Sequence, residues 1–533
     1  MSAFERTHGA PADGRSTFLQ HVLSLFDEHG EPPWPDGGRP FPDDLPGWAN
    51  VAMSSVFLDG VRTHHSGIDA DTRQADTLVE AIARAVKNPV GTAVFQHLHD
   101  VFAGTDALTV ADHFADPLAE RKAPPARVRE LARWIAEYGT DRNALKIALV
   151  LLGLCGDERE RDLLVLLGSL DEFALYAAVA LWRAVPDPEP DLFLIARRTT
   201  GWGRIHAVKR LRGAADPAIR AWLLREGFRN GVMDSYLAHF VAVNFGLVEA
   251  LTGEGPEAGT DEVLLDGAGR LLSAMAMAEG GVAEGLADYP GAFTALERYA
   301  ELVEGVPAPL GRLADLTRIR LYLLGIPGDL GRPAEEVARL GRRFSRLLEH
   351  PEWTDLVRAH LADPEREDFG AALWPAHELG LRPFDDVLRR LRVAPRDAAA
   401  WAWAFRWASS QERATGLVEL DETLLPLDRL DTGPTDVAAV GPGYEDEQVL
   451  EQVLRCMARI PGSGRSLVRV GLRNRCVAVR ASAVRVLEAW QDRPLSVGIV
   501  SLLRSAVREE PDPKIRKRME LLLERLGFGS EPA

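Results

Sequence analysis

Apolar positions recur every 30 residues between about residue 141 and residue 245. Two columns of this repeat are Leu145, Leu175 and Ile205, and Leu151, Leu181, Leu211 and Val241. Each period holds two apolar segments of about 10–14 residues, joined by short turns that contain Gly or Asp-Pro. A helical hairpin of this kind buries its apolar face only by stacking on its neighbours. The pattern therefore predicts an all-α fold, an α-solenoid of helical hairpins.

The same periodicity predicts the individual helices of the regular part. They are expected over 142–153, 158–168, 171–183, 190–199, 203–212, 217–226 and 232–243. Asp216-Pro217 favours a helix start, because Asp caps the first amides and Pro is tolerated at the first helical position. The repeated columns predict a continuous core with these buried side chains: Ala148, Ala178, Leu181, Val208 and Leu211.

The remaining segments differ in composition and regularity. Residues 1–50 form a proline-rich N-terminal extension, 51–140 an irregular helical part, 141–250 the regular repeats and 251–420 less regular helices. Residues 421–447 hold eight acidic residues and one basic residue, Arg429, which indicates an acidic linker. Residues 448–527 return to helical pairs. Residues 449–526 carry 16 Lys and Arg against 8 Asp and Glu, so the linker is able to fold back over a basic surface.

Composition narrows the function classes. The formal net charge of −17 argues against general affinity for nucleic acid or anionic membranes. The three cysteines have no metal-site spacing. The N-terminus has no apolar signal segment, and the longest apolar run contains Lys146 and is shorter than the roughly 20 residues that a bilayer span needs. We therefore expect a cytoplasmic protein.

Three short motifs give the chain a family resemblance. Residues 216–220 and 512–516 both read D-P-x-I-R, and VAVRASAV surrounds Arg480. These motifs resemble HEAT repeats, and the 30-residue period resembles the short bacterial variety named after phycobilisome lyases. The resemblance implies an inter-helix core of apolar residues, with Asp and Arg bridging successive turns. Such arrays serve as scaffolds, adaptors, lyases and DNA glycosylases, so the resemblance specifies a fold rather than a function.

Residues 197–211 and 222–238 are also similar to a bacterial family labelled limonene hydroxylase, which implies an enzyme acting on a small molecule. A hydroxylase activates oxygen with haem, flavin or non-haem iron. The sequence has no nucleotide-binding glycine motif, H-E-x-x-H, C-x-x-C or G-x-S-x-G. His97 and Asp100 would share a helical face, which permits a metal pair or simple surface residues. We expect no cofactor and assign no metal site.

The repeat itself supplies the candidate binding residues. Tyr176, His206 and Tyr236 occupy one register position of the second helices, and Lys209 and His239 lie one turn further on. Second helices usually line the concave face of a solenoid, where partners bind. Residues 197–229 add nine basic residues against two acidic ones, around a tryptophan between two glycines. The predicted binding residues are therefore Tyr176, Trp202, Arg204, His206, Lys209, Arg229, Tyr236 and His239. In the alternative interpretation, Trp202 fills the core and the arginines pair with acidic residues.

These features favour a non-enzymatic scaffold that binds a protein, an anionic partner or its own termini along the concave face. The first alternative is an enzyme with a pocket around His206, in which Tyr176 or Tyr236 acts as acid–base partner. The second is a nucleic-acid-binding repeat protein, suggested by the basic C-terminal part. Trp401, Trp403 and Trp407 form an aromatic patch that suits either a core or an apolar ligand site.

Overall fold

The computed structural model describes residues 14–44, 55–87, 92–253, 261–278, 283–304, 306, 309–325, 330–437, 443–490 and 497–528, in which α-helices joined by turns and loops predominate. In these ranges the only β interaction is an isolated bridge between Val437 and Cys476. The predicted all-α class is confirmed. Among these helices, none combines the length and the apolar character needed to cross a membrane.

The chain divides into two units. Among the described residues, unit 1 takes those of 14–44, 55–306 and 318–347, and unit 2 takes those of 309–317 and 348–528. In chain order, the helices up to the start of unit 2's main part are Phe18–His29, Pro35–Gly37, Ser55–Val61, Arg62–Ser66, Thr72–Ala85, Thr92–Ala103, Ala107–Val110, Ala111–His113, Ala115–Glu120, Pro125–Tyr138, Arg142–Cys155, Glu158–Glu160, Arg161–Leu167, Asp171–Ala184, Glu189–Arg198, Gly201–Lys209, Pro217–Trp222, Leu223–Gly227, Ser235–Asn244, Leu247–Thr252, Glu262–Ala276, Leu286–Asp288, Ala292–Leu302, Leu310–Gly325 and Ala334–Leu348.

The helices that follow belong to unit 2. They are Glu352–Ala362, Phe369–Ala372, Leu373–Glu378, Phe384–Val393, Ala398–Trp407, Gln411–Leu424, Leu427–Leu430, Glu445–Met457, Arg465–Leu472, Val477–Ala489, Val497–Glu509 and Pro513–Arg525.

The regular part of unit 1 is an α-solenoid. We call Arg142–Cys155, Asp171–Ala184, Gly201–Lys209 and Ser235–Asn244 the second helices, and each packs against the next in this order. The residues predicted for the core are all at most 2% exposed, because the 30-residue columns meet between the stacked helices. Asp216 caps its helix as predicted, accepting a hydrogen bond from the amide of Ala218.

Two helix starts differ from the prediction. The third of the second helices begins at Gly201 and not at residue 203. Trp202 therefore lies in the first turn of this helix and not in the loop before it. Gly201 permits this start because it takes a left-handed φ of 50° and donates its N–H to the carbonyl oxygen of Asn230. The fourth begins at Ser235, because Oδ1 of Asn230 accepts hydrogen bonds from the backbone amides of Val232 and Met233 and holds these residues in a turn.

The described part of the proline-rich extension packs on the helices of unit 1. Phe41 is 5% exposed and lies against Phe18 and Phe173, with ring centroids 5.8 Å and 6.5 Å away. Arg142 donates hydrogen bonds to the carboxylates of two residues of this extension, Asp43 at 2.6 Å and Asp44 at 2.5 Å. The extension is thus tied to the start of the first second helix.

In unit 2, part of the predicted acidic linker is helical and part is docked on the basic repeats. Residues 421–424 end the helix Gln411–Leu424, and Leu427–Leu430 is a short helix. Asp431 accepts a hydrogen bond of 2.8 Å from Nε of Arg473, and the carboxylate of Glu447 forms an ion pair of 2.7 Å with Arg475. The segment 430–437, which we call the docked segment, therefore folds back as the charge pattern allows.

Arg480 anchors the docked segment to the repeats. It is fully buried and forms two bonds of 2.8 Å with the carboxylate of Glu510. A third bond of 2.6 Å runs from Nη1 to the carbonyl oxygen of Thr435 in the docked segment. One guanidinium thereby joins two successive helical pairs and the segment that precedes them.

Candidate functional site

The site lies where residues 55–66 cross the second helices. These residues form the helix Ser55–Val61 and the π-helical turn Arg62–Ser66. We call residues 55–66 the covering segment. Its side chains contact four residues of the second helices, one on each: Lys146, Tyr176, Trp202 and Tyr236. We call the surface formed by these four side chains of the second helices the shared face.

A buried ionic network joins the covering segment to the first two second helices. Asp59 lies 2.8 Å from Nζ of Lys146 and accepts a 2.9 Å hydrogen bond from the hydroxyl of Tyr176. Lys146 also pairs with Glu172 at 2.6 Å, and the hydroxyl of Ser55 donates to Glu172. Lys146 is 1% exposed, so its charge depends on these carboxylates.

The pKa values of this network follow from burial and from the paired charges. Burial alone would lower the pKa of Lys146, but the carboxylates of Glu172 and Asp59 outweigh it and raise that pKa. Burial and then the charge of Asp59 raise the pKa of the Tyr176 hydroxyl well above its ordinary value. Tyr176 is therefore a hydrogen-bond donor here and is not a proton acceptor at neutral pH.

An aromatic cluster follows at the third and fourth second helices. Trp202 is 4% exposed, and its ring centroid lies 4.9 Å from that of Tyr236 and 5.0 Å from that of His64. Gly60 packs directly on the indole, since a Cβ at this position would lie 2.1 Å from Cδ2 of Trp202. Only glycine allows the covering segment to approach so closely.

His64 bridges the covering segment to Lys209. The Lys209 ammonium donates to Nε2 of His64 at 2.8 Å, so the proton of the neutral ring is on Nδ1, which lies 3.1 Å from the carbonyl oxygen of Gly60. Burial and the charge of Lys209 lower the pKa of His64 to about 4. Burial also lowers the pKa of Lys209. His64 is thus neutral at pH 7, as this hydrogen bond requires.

His206 is enclosed by this cluster. It is 4% exposed, its ring centroid lies 5.5 Å from that of His64, and its Nε2 is buried without a hydrogen-bond partner among the described residues. Burial, followed by the charge of Arg210, lowers its pKa well below the ordinary value. His65 completes the contact, with Nε2 2.5 Å from the hydroxyl of Tyr236.

Three of the predicted binding residues are engaged in other ways. His239 pairs with Glu284 at 2.8 Å. Arg204 donates to the carbonyl oxygens of Ala196, Thr199 and Arg229, so it ties together turns of the repeat. Arg229 places its guanidinium over the ring of Phe228, 5.9 Å from the centroid. The five that meet the covering segment or its cluster are Tyr176, Trp202, His206, Lys209 and Tyr236.

Sequence reasoning missed the residues that come from the covering segment, chiefly Asp59, Gly60 and His65. The sequence of the helix Ser55–Val61, SVFLDGV, contains no motif that predicts these roles. Its contacts with the second helices join residues more than one hundred positions apart, and no local pattern announces them. In the described part of the chain, no group of three or more His, Cys, Asp or Glu is arranged to hold a metal ion.

The predicted aromatic patch of unit 2 is partly core. Trp401 is fully buried and Trp407 is 4% exposed, whereas Trp403 is half-buried. The ring centroids of Trp403 and Trp407 are 4.9 Å apart, and the guanidinium of Arg406 lies over the Trp403 ring, 5.4 Å from its centroid.

Comparison with known proteins adds little to this geometry. No protein-family model and no curated protein matches the chain. Among solved structures, the chain is similar to a circular tandem repeat protein with novel repeat topology and enhanced subunit contact surfaces. The sequences are 16% identical, the match covers 85% of this chain and 95% of that one, and the TM-score is 0.13. A TM-score this low does not indicate a common fold.

Proposed function

We propose that the protein is a helical-repeat scaffold that binds a helical segment of a protein partner on the shared face and has no catalytic activity of its own. One observation supports this most: the covering segment occupies the face as a bound helix would. It places Asp59 against a buried lysine, Gly60 against an indole and His65 against a tyrosine hydroxyl. Helices bind to grooves in this way, through anchors on one side.

The alternatives have less support. An enzyme pocket around His206 would need access to a side chain that is 4% exposed and lies under His64. Tyr176, its expected acid–base partner, has a raised pKa and already donates to Asp59. Nucleic-acid binding by the basic C-terminal part would compete with Asp431 and Glu447, which pair with three of its arginines.

The proposal is tested by opening the face and offering the segment back as a peptide. Gly60→Leu places a side chain where Trp202 lies, so the covering segment is expected to detach while the repeats stay folded. A fluorescein-labelled peptide with the sequence of residues 55–66 should then bind the variant, measured by fluorescence anisotropy, and should not bind the wild type. The same peptide with Asp59→Lys should bind at least about tenfold more weakly, because the new lysine would lie against the buried ammonium of Lys146.

Gly416→Leu is the matched control, since Gly416 is also helical and a Cβ there meets nothing within 4 Å. Circular dichroism of both variants checks that the helices remain. A folded Gly60→Leu variant that fails to bind the peptide would contradict the proposal, and so would equal binding by the Gly416→Leu variant.

A further inference from the structure

The contact between His64 and Lys209 holds the covering segment only while the imidazole is neutral. An ammonium has three N–H donors and no acceptor, so the 2.8 Å bond from Lys209 uses the lone pair on Nε2 of His64. The other ring nitrogen, Nδ1, carries the proton and lies 3.1 Å from the carbonyl oxygen of Gly60. Protonation of Nε2 therefore removes the hydrogen bond and leaves two like charges in its place.

The adjacent histidine, His65, has no such requirement. Its Nε2 lies 2.5 Å from the hydroxyl of Tyr236. A hydroxyl both donates and accepts, so this contact forms with a neutral or with a protonated imidazole. Two neighbouring histidines of the covering segment thus respond differently to acid: the contact of His64 is lost and that of His65 is kept.

Among the described residues of the second helices, the groups that face His64 carry no negative charge. The ring centroid of His206 lies 5.5 Å away, and burial, followed by the charge of Arg210, lowers the pKa of this histidine well below its ordinary value. The ring centroid of Tyr236 lies 5.7 Å away, and burial raises the pKa of its hydroxyl. Both groups are neutral at pH 7, so a proton on His64 adds a second cation beside Lys209.

The carboxylates around this contact are already paired. Asp59 of the covering segment lies 2.8 Å from Nζ of Lys146. Glu284, whose charge acts on Lys209, pairs with His239 at 2.8 Å. In the described part of the chain, these two carboxylates therefore do not compensate a charged imidazole next to Lys209.

We propose that acid releases the covering segment from the shared face and so opens that face to the partner. The inference rests on the proposed function and adds the regulation of the same site. A partner segment that binds in acid needs an acceptor that remains unprotonated opposite Lys209, such as an amide oxygen. With such a residue in place of His64, the partner keeps the hydrogen bond that the covering segment loses, and it displaces this segment as the pH falls.

The expected pH range follows from the two states of His64. Burial, followed by the charge of Lys209, lowers its pKa from 6.5 to about 4 in the attached segment. Because the attached state has the lower pKa, the neutral ring favours attachment. This contribution is fully present above pH 6.5 and is lost as the pH falls toward 4. Within this range the ratio of detached to attached segment rises by up to about tenfold per pH unit.

Hydrogen–deuterium exchange of the full chain at pH 7, 6 and 5 tests the inference. The protection of residues 55–66 is the exchange rate of the free peptide divided by the rate in the protein at the same pH, which removes the intrinsic effect of pH. In the wild type this ratio should fall about tenfold or more between pH 7 and pH 5. His64→Gln should show no such fall, because its amide oxygen accepts from Lys209 at each pH. His65→Gln is the matched control and should behave as the wild type does.

Exchange of the helix Arg142–Cys155 in the same samples checks that the repeats stay folded at pH 5. A wild-type ratio that is equal at pH 7 and pH 5 would overturn the inference, and so would an equal fall in His64→Gln or a lost fall in His65→Gln. Residues 55–66 that are unprotected already at pH 7 would contradict both the inference and the proposed function. Failure of the 55–66 peptide to bind the Gly60→Leu protein contradicts the proposed function alone.

Discussion

At the scale of single residues, burial decides the charge of several side chains. Asp421 is the clearest example: it is fully buried in unit 2, and neither carboxylate oxygen has a hydrogen-bond partner in the described part of the chain. Burial, followed by the charge of Glu422, raises its pKa to about 8 from 3.8. Because the folded pKa is the higher one, the neutral acid favours folding. This stability is fully present below pH 3.8 and is lost as the pH rises toward 8.

Asp421→Asn should therefore remove a pH dependence. The variant should gain stability relative to the wild type between pH 4 and pH 8, by at least about 1.4 kcal/mol, the value of one pKa unit. Urea unfolding of both proteins across this range measures the difference. Glu419→Gln, an exposed change on the same helix, should follow the wild-type curve. Parallel curves for the wild type and Asp421→Asn would show that Asp421 is already ionised in the folded protein.

At the scale of elements, the sequence predicted helices better than it predicted contacts between distant segments. The bounds of Arg142–Cys155 and Asp171–Ala184 follow from apolar columns that repeat every 30 residues. The start of Gly201–Lys209 does not follow from these columns. Two glycines, Gly201 and Gly203, are typical of a loop, and the hydrogen bond from Gly201 to Asn230 is visible only in the structure. Charge patterning anticipated that the acidic segment is able to fold back, but only the structure identifies its partners.

The docked segment gives a prediction at this scale. Asp431→Lys should loosen the segment, since it replaces the pair with Arg473 by a repulsion from Arg473 and Arg469. We expect a loss of about 1 kcal/mol or less, as for other partly exposed ion pairs. Limited proteolysis should cleave residues 430–437 faster in the variant. Asp428→Lys makes the same charge change at an exposed position nearby and should leave cleavage unchanged. Equal cleavage of the two variants would contradict the docking.

At the scale of the whole molecule, each unit combines a predictable helical core with chain segments bound across it. The core was predictable because it follows from local periodicity, which places Tyr176, His206 and Tyr236 in one register. The covering segment was not, because Asp59 and Gly60 acquire their roles only through Lys146 and Trp202. We therefore propose above all that the shared face of unit 1 binds a helical segment, the position that residues 55–66 occupy.

Hydrogen–deuterium exchange of residues 55–66 in the intact protein tests that claim most directly. Amides in a helix bound to a folded core exchange slowly, whereas a detached peptide of this length exchanges like an unfolded chain. We predict that residues 55–66 are protected from exchange in the wild type and in Gly416→Leu. This protection should be lost in Gly60→Leu and in Asp59→Lys. Exchange of residues 55–66 at the rate of the free peptide in the wild-type protein would contradict it.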